Sequence, residues 1–221
     1  MEAGTILMSR GKGATSNLIA WGTCSRFSHI AIVVRIDRCD IAVKIPSRHW
    51  RPHRQLIDQW EDGMYVVEST SLSPKPCEIL RHHIAGVQVH KPIDLPFTGS
   101  HYWQMRLHHP LSDMESRRLT EACLNRVGIP YDFAGAGLAG AALINKFLPC
   151  AYDHRRYFCC EFVGEAILLG LEGRKMAELK AGTLPPGKIA KALQCHGLYH
   201  KPKRVKLDED NPTIVECRQE R

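Results

Sequence analysis

Two adjacent thiols, an imidazole and a carboxylate carry the chemistry that this sequence can do. Cys159 and Cys160 stand in Tyr157-Phe158-Cys159-Cys160-Glu161-Phe162-Val163, which reads as the opening of an apolar helix. A thiol at a helix N-terminus feels the partial positive charge of unpaired backbone N–H groups, and this favours thiolate. Far upstream, His29 opens the apolar run His29-Ile30-Ala31-Ile32-Val33. A thiolate held beside an imidazole is a nucleophile for acyl transfer. Glu68 stands toward the end of a second strong run, Met64 to Thr70, where a carboxylate can orient the imidazole. Taken singly, each residue has an ordinary structural use; a helical cysteine is commonly a small core residue. The three types together point to a nucleophile, a base and an orienting group.

These groups need elements to position them. Gly4 to Met8 predicts a short opening strand, and Ala14 to Trp21 a short helix capped at Thr15 or Ser16. His29 to Ile36 is apolar almost throughout, which predicts a buried strand with His29 at its start. From Arg38 to Asp62 the pattern breaks down among charges, Pro46 and Pro52, and predicts an insertion or long loop. Met64 to Thr70, Gly86 to His90 and Tyr102 to Leu107 are further strand candidates. Leu111 to Val127 has helical periodicity with Ser112 as cap, and a helix opened by Phe158 or Cys159 runs to about Leu171. A last helix starts at Leu184-Pro185-Pro186, with proline in its first turn. Strands and helices mix without strict alternation, which predicts an α+β class. The expected organisation is one domain over residues 1–207, with an insertion at 38–62 and a polar, loose tail at 208–221.

Composition narrows the function classes. The 221 residues carry 44% hydrophobic and 24% charged side chains, enough for a real core. A net charge of +7 and a pI near 9.0 fit either a solvated basic surface or an anionic partner such as a cell-wall polymer or a membrane. The basic residues are scattered and no nucleic-acid-reading motif accompanies them, so no specific nucleic acid is expected. Nine cysteines without a CxxC pair argue against a disulfide framework and for a reducing compartment. Met1 to Met8 lacks the pattern of a secretory leader, and Phe133 to Leu148 is too short and too broken to span a bilayer. The expected setting is cytoplasmic or phage-borne. Gly135 to Gly140 matches GxGxxG but follows a Pro-Tyr-Asp turn rather than a strand, and His82-His83 and His108-His109 lack metal-ligand spacing. Neither a cofactor nor a metal is expected. The oligomeric state stays open.

One ordered set of motifs resembles a known family. Gly4-Thr5-Ile6-Leu7, Ser16-Asn17-Leu18-Ile19, Phe27-Ser28-His29-Ile30-Ala31-Ile32-Val33, Val67-Glu68-Ser69-Thr70, Pro130-Tyr131-Asp132-Phe133, Phe158-Cys159-Cys160-Glu161-Phe162-Val163 and Leu184-Pro185-Pro186 are similar to the circularly permuted papain-like hydrolases. These form the permuted NlpC-type, YiiX/YebB-like branch related to the lecithin–retinol acyltransferase group. The resemblance spans roughly residues 4 to 195. It implies a papain-like α+β fold with a small antiparallel sheet packed on helices. It also implies His29 as base, Glu68 as orienting residue and Cys159 as nucleophile. Cys160 stands where the family commonly has serine and is the alternative nucleophile. The implied activity is a cysteine peptidase or amidase working through a thioester, on peptidoglycan-type peptide or another amide. A lipid-directed acyltransferase or hydrolase with a lipid-linked acyl substrate is the second enzyme reading. A non-catalytic binding or virion module is the third. Tyr131 receives no role.

Overall fold

Among the described residues, seven strands join in a single sheet. They are β1 (Ile6–Arg10), β2 (His29–Ile36), β3 (Gly63–Thr70), β4 (Gly86–His90), β5 (His101–Met105), β6 (Lys203–Leu207) and β7 (Ile214–Glu216). Their spatial order is β4-β3-β2-β1-β5-β6-β7, and every neighbouring pair is antiparallel. The helices of the described residues are α1 (Arg38–Val43), α2 (Arg54–Asp58), α3 (Asp113–Leu124), α4 (Cys159–Gly170) and α5 (Pro186–Cys195). The computed structural model describes residues 1–11, 17, 20, 25–43, 54–71, 75–92, 101–134, 156–172, 174, 184–207 and 214–216.

The period-2 pattern of the strands sorts their side chains onto two faces. One face presents Ile6, Met8, Ile30, Ile32, Val34, Val67, Val87, Val89 and Met105 to the helices, and with Leu119, Phe162, Val163, Ile167 and Leu193 they form the main core. On the other face Leu7, Ala31, Val33 and Val66 make a smaller apolar cluster. Helices α3 and α4 pack closely, because a Cβ on Gly170 would sit only 2.8 Å from the Leu119 Cα. An alanine there would force the two helices apart, so the glycine sets their distance.

The fold is α+β, and the expectation of a small sheet is corrected. Chain far from the N-terminus, β6 and β7, extends the sheet through β5, so it reaches seven strands. Ile214–Glu216 pairs with Val205–Leu207, so part of the segment read as a loose tail is a strand. Three residues, two of them apolar, are too few for a periodicity to show. Among its described residues, the stretch 38–62 is likewise more than a loop. It carries α1 and α2 and buries Ile41, Leu56 and Trp60. Trp60 stacks on Tyr65 at 4.7 Å, and its Nε1 donates to the Ile36 carbonyl at 3.3 Å. Most of the helix expected over 14–21, the GxGxxG segment and the small-residue run after residue 134 lie outside the described residues.

Candidate active site

The site forms where β2 and β3 part company. Their ladder runs from Ile36↔Gly63 to Ile32↔Val67. Beyond it, Ala31 to His29 continue on β1, opposite Leu7 to Ser9. Glu68 to Thr70 continue on β4, opposite Gln88 to Gly86. By alternation His29 lies on the face of Ala31 and Val33, and Glu68 on the face of Val66. Their side chains meet across the divergence: His29 Nε2 and Glu68 Oε2 are 2.6 Å apart. The imidazole keeps 14% of its side-chain surface exposed, whereas the carboxylate has none. A buried carboxylate needs a partner, and His29 supplies it.

The N-terminus of α4 is brought to the same place by contacts made before the helix begins. Ser69 Oγ donates to the Tyr157 carbonyl at 2.6 Å, which pins the incoming chain to β3. Tyr157 N–H donates to the Pro130 carbonyl at 3.0 Å, and Asp132 N–H to the Tyr157 carbonyl at 3.1 Å. Pro130 in turn bridges Gly86, where a Cβ would fall 2.2 Å from the Ile129 carbonyl oxygen, so only glycine allows this approach. At the other end, Tyr157 Oη donates to Glu165 at 2.5 Å, and Arg126 is ion-paired with the same carboxylate.

Cys159 is the first residue of α4 and retains 5% exposure; Cys160 has none. Phe158, the N-cap, offers no side-chain acceptor, so the first turn keeps its N–H groups for other ligands. The Cys159 sulfur lies within hydrogen-bonding reach of Cys160, of His29 and of the Ile30 backbone N–H, which the β2–β3 ladder no longer uses. The Cys160 contact first, and then His29, hold the Cys159 thiol well below the ordinary thiol range, despite burial. Burial drives Cys160 the opposite way, well above that range. For His29, burial alone favours the neutral ring, but the contacts to Cys159 and Glu68 outweigh it and raise its pKa to about 10. With Nε2 taken by Glu68, Nδ1 is the nitrogen left for the thiol. Both shifts act in one direction, favouring a proton on His29 over one on Cys159.

Sequence reasoning named Cys159, His29 and Glu68, and the fold brings them together from α4, β2 and β3. Cys160, the alternative nucleophile, lies beside them but is fully enclosed. Three neighbours had no role assigned from the sequence, although Tyr131 and Glu161 stand within the quoted motifs. His90 is fully buried with Nε2 3.7 Å from Glu68 Oε1, a proximity set by the Val66↔His90 register. Burial, with the negative charge at Cys159 beside it, pushes the Tyr131 phenol well above its ordinary value. Glu161 accepts from the Phe158 N–H at 3.3 Å; burial, with the nearby Asp132 charge, raises its carboxyl to about 8. Among the described residues no group of three or more His, Cys, Asp or Glu is disposed to hold a metal ion. Nor is any described helix long and apolar enough to cross a membrane.

A scan against protein-family models finds no match, and a search of curated proteins finds none. Among solved structures the chain is similar to the crystal structure of the metalloprotein YiiX from Escherichia coli O157:H7. The identity is 17% and the TM-score 0.46, with 77% of this chain and 66% of that one covered. The chain thus spans just under two-thirds of that protein's length. A likeness at this level says nothing about chemistry, and the word metalloprotein belongs to YiiX alone.

Proposed function

We propose that this protein is a cysteine hydrolase of peptidase or amidase type, on a papain-like scaffold. The observation that carries the reading is Cys159 at the start of α4, within reach of an imidazole whose other nitrogen is 2.6 Å from a fully buried carboxylate. In this reading the Cys159 thiolate attacks the carbonyl carbon of an amide. N–H groups of the first turn of α4 stabilise the oxyanion, and the His29 imidazolium gives its proton to the leaving amine. The sulfur is left acylated as a thioester. Neutral His29 then takes a proton from water as the water attacks the thioester carbonyl, which frees the acid and restores the pair. Glu68 keeps the ring oriented and stabilises its charge in both steps. An amide of the peptidoglycan-peptide kind is the substrate class that the family resemblance favours.

The test is peptide-resolved iodoacetamide labelling of every cysteine across pH, in wild type and in His29→Ala. Labelling of Cys159 well below the ordinary thiol pKa, slowed in His29→Ala, supports the reading and selects Cys159 for a screen of amide and acyl-ester substrates. Reaction of Cys159 no faster than an ordinary exposed thiol sinks it, and leaves the fold as a binding module.

A further inference from the structure

Cys160 has no step in the chemistry just proposed, yet it touches the atom that does. The two sulfurs are 3.7 Å apart, within the range of a sulfur hydrogen bond. A thiolate has no proton to give, so when Cys159 is ionised the donor in this contact is the Cys160 S–H. The surroundings of Cys160 make it suited to that role: it is fully buried, second in α4, and enclosed by the main core, which favours the protonated thiol. Cys159, by contrast, is a buried anion in the proposed resting state, and such an anion needs every donor within reach. Backbone and imidazole donors come from β2, on one side of the sulfur. Cys160 is the donor supplied from within α4 itself.

We propose that Cys160 is a positioning residue whose S–H donates to the Cys159 thiolate, holding its charge and fixing the sulfur for His29. The inference rests on the Cys159–His29 reading and deepens it. A structural disulfide between the two sulfurs is not the alternative use. Neighbouring Cα atoms are about 3.8 Å apart, short of the roughly 4.4 Å at which ordinary disulfides begin.

The deciding experiment uses the full-length protein as wild type, Cys160→Ala, Cys160→Val and Cys160→Ser. Peptide-resolved alkylation of Cys159 is followed with pH, alongside the ultraviolet titration of its thiolate. Alanine and valine both delete the donor, and valine keeps the volume, so that one of them tests the idea if the other fails to fold. Serine retains a donor. A hydrogen bond to a charged group is worth about one pKa unit or more, so both deletions should slow alkylation about tenfold near pH 6. Serine should restore most of that rate. Near pH 9, where the thiol is ionised in every variant, the rates should converge, or the deletions should run faster. A wild-type thiol that is fast, with deletions equally fast at low pH, overturns the role of Cys160 alone. Loss of rate by the same factor at every pH, not rescued by serine, marks a packing defect and overturns it too. A wild-type Cys159 that is slow at low pH overturns the proposed function, and this inference with it.

Discussion

Two packed helices, α3 and α4, begin with the same device and put it to opposite use. Each has a glutamate at the third position, Glu115 and Glu161, reaching back to the N-cap backbone N–H. At α3 the N-cap is Ser112, whose Oγ accepts from the Glu115 N–H at 3.3 Å. Arg174 grips both Glu115 oxygens, at 2.6 and 2.8 Å, and this pairing holds the carboxyl down at about 2. At α4 the cap is Phe158, which gives no side-chain acceptor, and buried Glu161 is pushed up to about 8. At neutral pH the first helix start therefore carries a full negative charge on its positive end, the arrangement that stabilises a helix. The second withholds that charge and leaves its end to Cys159. Capping for stability and leaving an end open for an anion are alternatives, and this chain uses one on each helix.

The largest effect expected from breaking that contrast is chemical. Replacing Cys159 by alanine should remove turnover by at least about a thousandfold with the fold intact, whereas Ser112→Ala should leave turnover alone and cost about 1 kcal/mol of stability. Circular dichroism melts and turnover of any substrate found in the labelling-guided screen separate the two. A Ser112→Ala protein that loses activity with its melt unchanged would undo the division of labour.

Next in size is the orienting carboxylate. Glu68→Gln should lower turnover about a hundredfold. It should also change the pH profile. His29 has its pKa raised to about 10, so in the proposed mechanism the thiolate–imidazolium pair is lost as pH rises through that value. Without the Glu68 charge the upper limb must move to lower pH. An unmoved limb would remove Glu68 from the site.

A subtler test compares the two glutamates by the sign of their pH effect. Glu115 has a lowered folded pKa, so its contribution is present above its unfolded value near 4.5 and is lost as pH falls toward about 2. Glu115→Gln should therefore destabilise the protein at neutral pH and become harmless in strong acid. Glu161 has a raised folded pKa, so folding favours its proton; stability declines as pH rises from about 4.5 to about 8. Glu161→Gln should be at least as stable as wild type at pH 8, by on the order of 1 kcal/mol. Chemical denaturation across pH measures both. Parallel curves for the two variants would erase the distinction.

The smallest effect concerns a thiol placed away from any helix start. Cys123 lies in the last turn of α3, fully buried, and burial pushes its thiol up to about 12. It should resist iodoacetamide at any pH that keeps the protein folded, and Cys123→Ala should cost about 1–2 kcal/mol through its cavity without touching turnover. Rapid labelling of Cys123 in the native state would show that helix position does not govern thiol reactivity here.

Local pattern made much of this legible. The apolar runs at β2 and β3, the strand at β4, the Ser112 cap and the proline in the first turn of α5 all stand where short-range chemistry predicts them. Local pattern also put Cys159 at a helix start and His29 at a strand start. The sequence could not show the partners that come from elsewhere in the chain. His90 is 22 residues from Glu68, and only the β3–β4 register sets it beside that carboxylate. Helices α1 and α2 span less than two turns each, too short for a period to appear, and β7 has three residues.

By itself, then, the amino-acid order determined which groups can react and on what kind of element each one sits, because helix ends and apolar runs are set by residues a few positions apart. Tertiary structure decided what those groups are. It parts β2 from β3 just past Ile32↔Val67, turns the Ile30 N–H toward a sulfur, and sets Cys159 and the enclosed Glu68 beside His29, which together raise the pKa of the ring. Charge states in a buried site depend on solvent exclusion and on neighbours drawn from distant segments, and neither exists until the chain has folded.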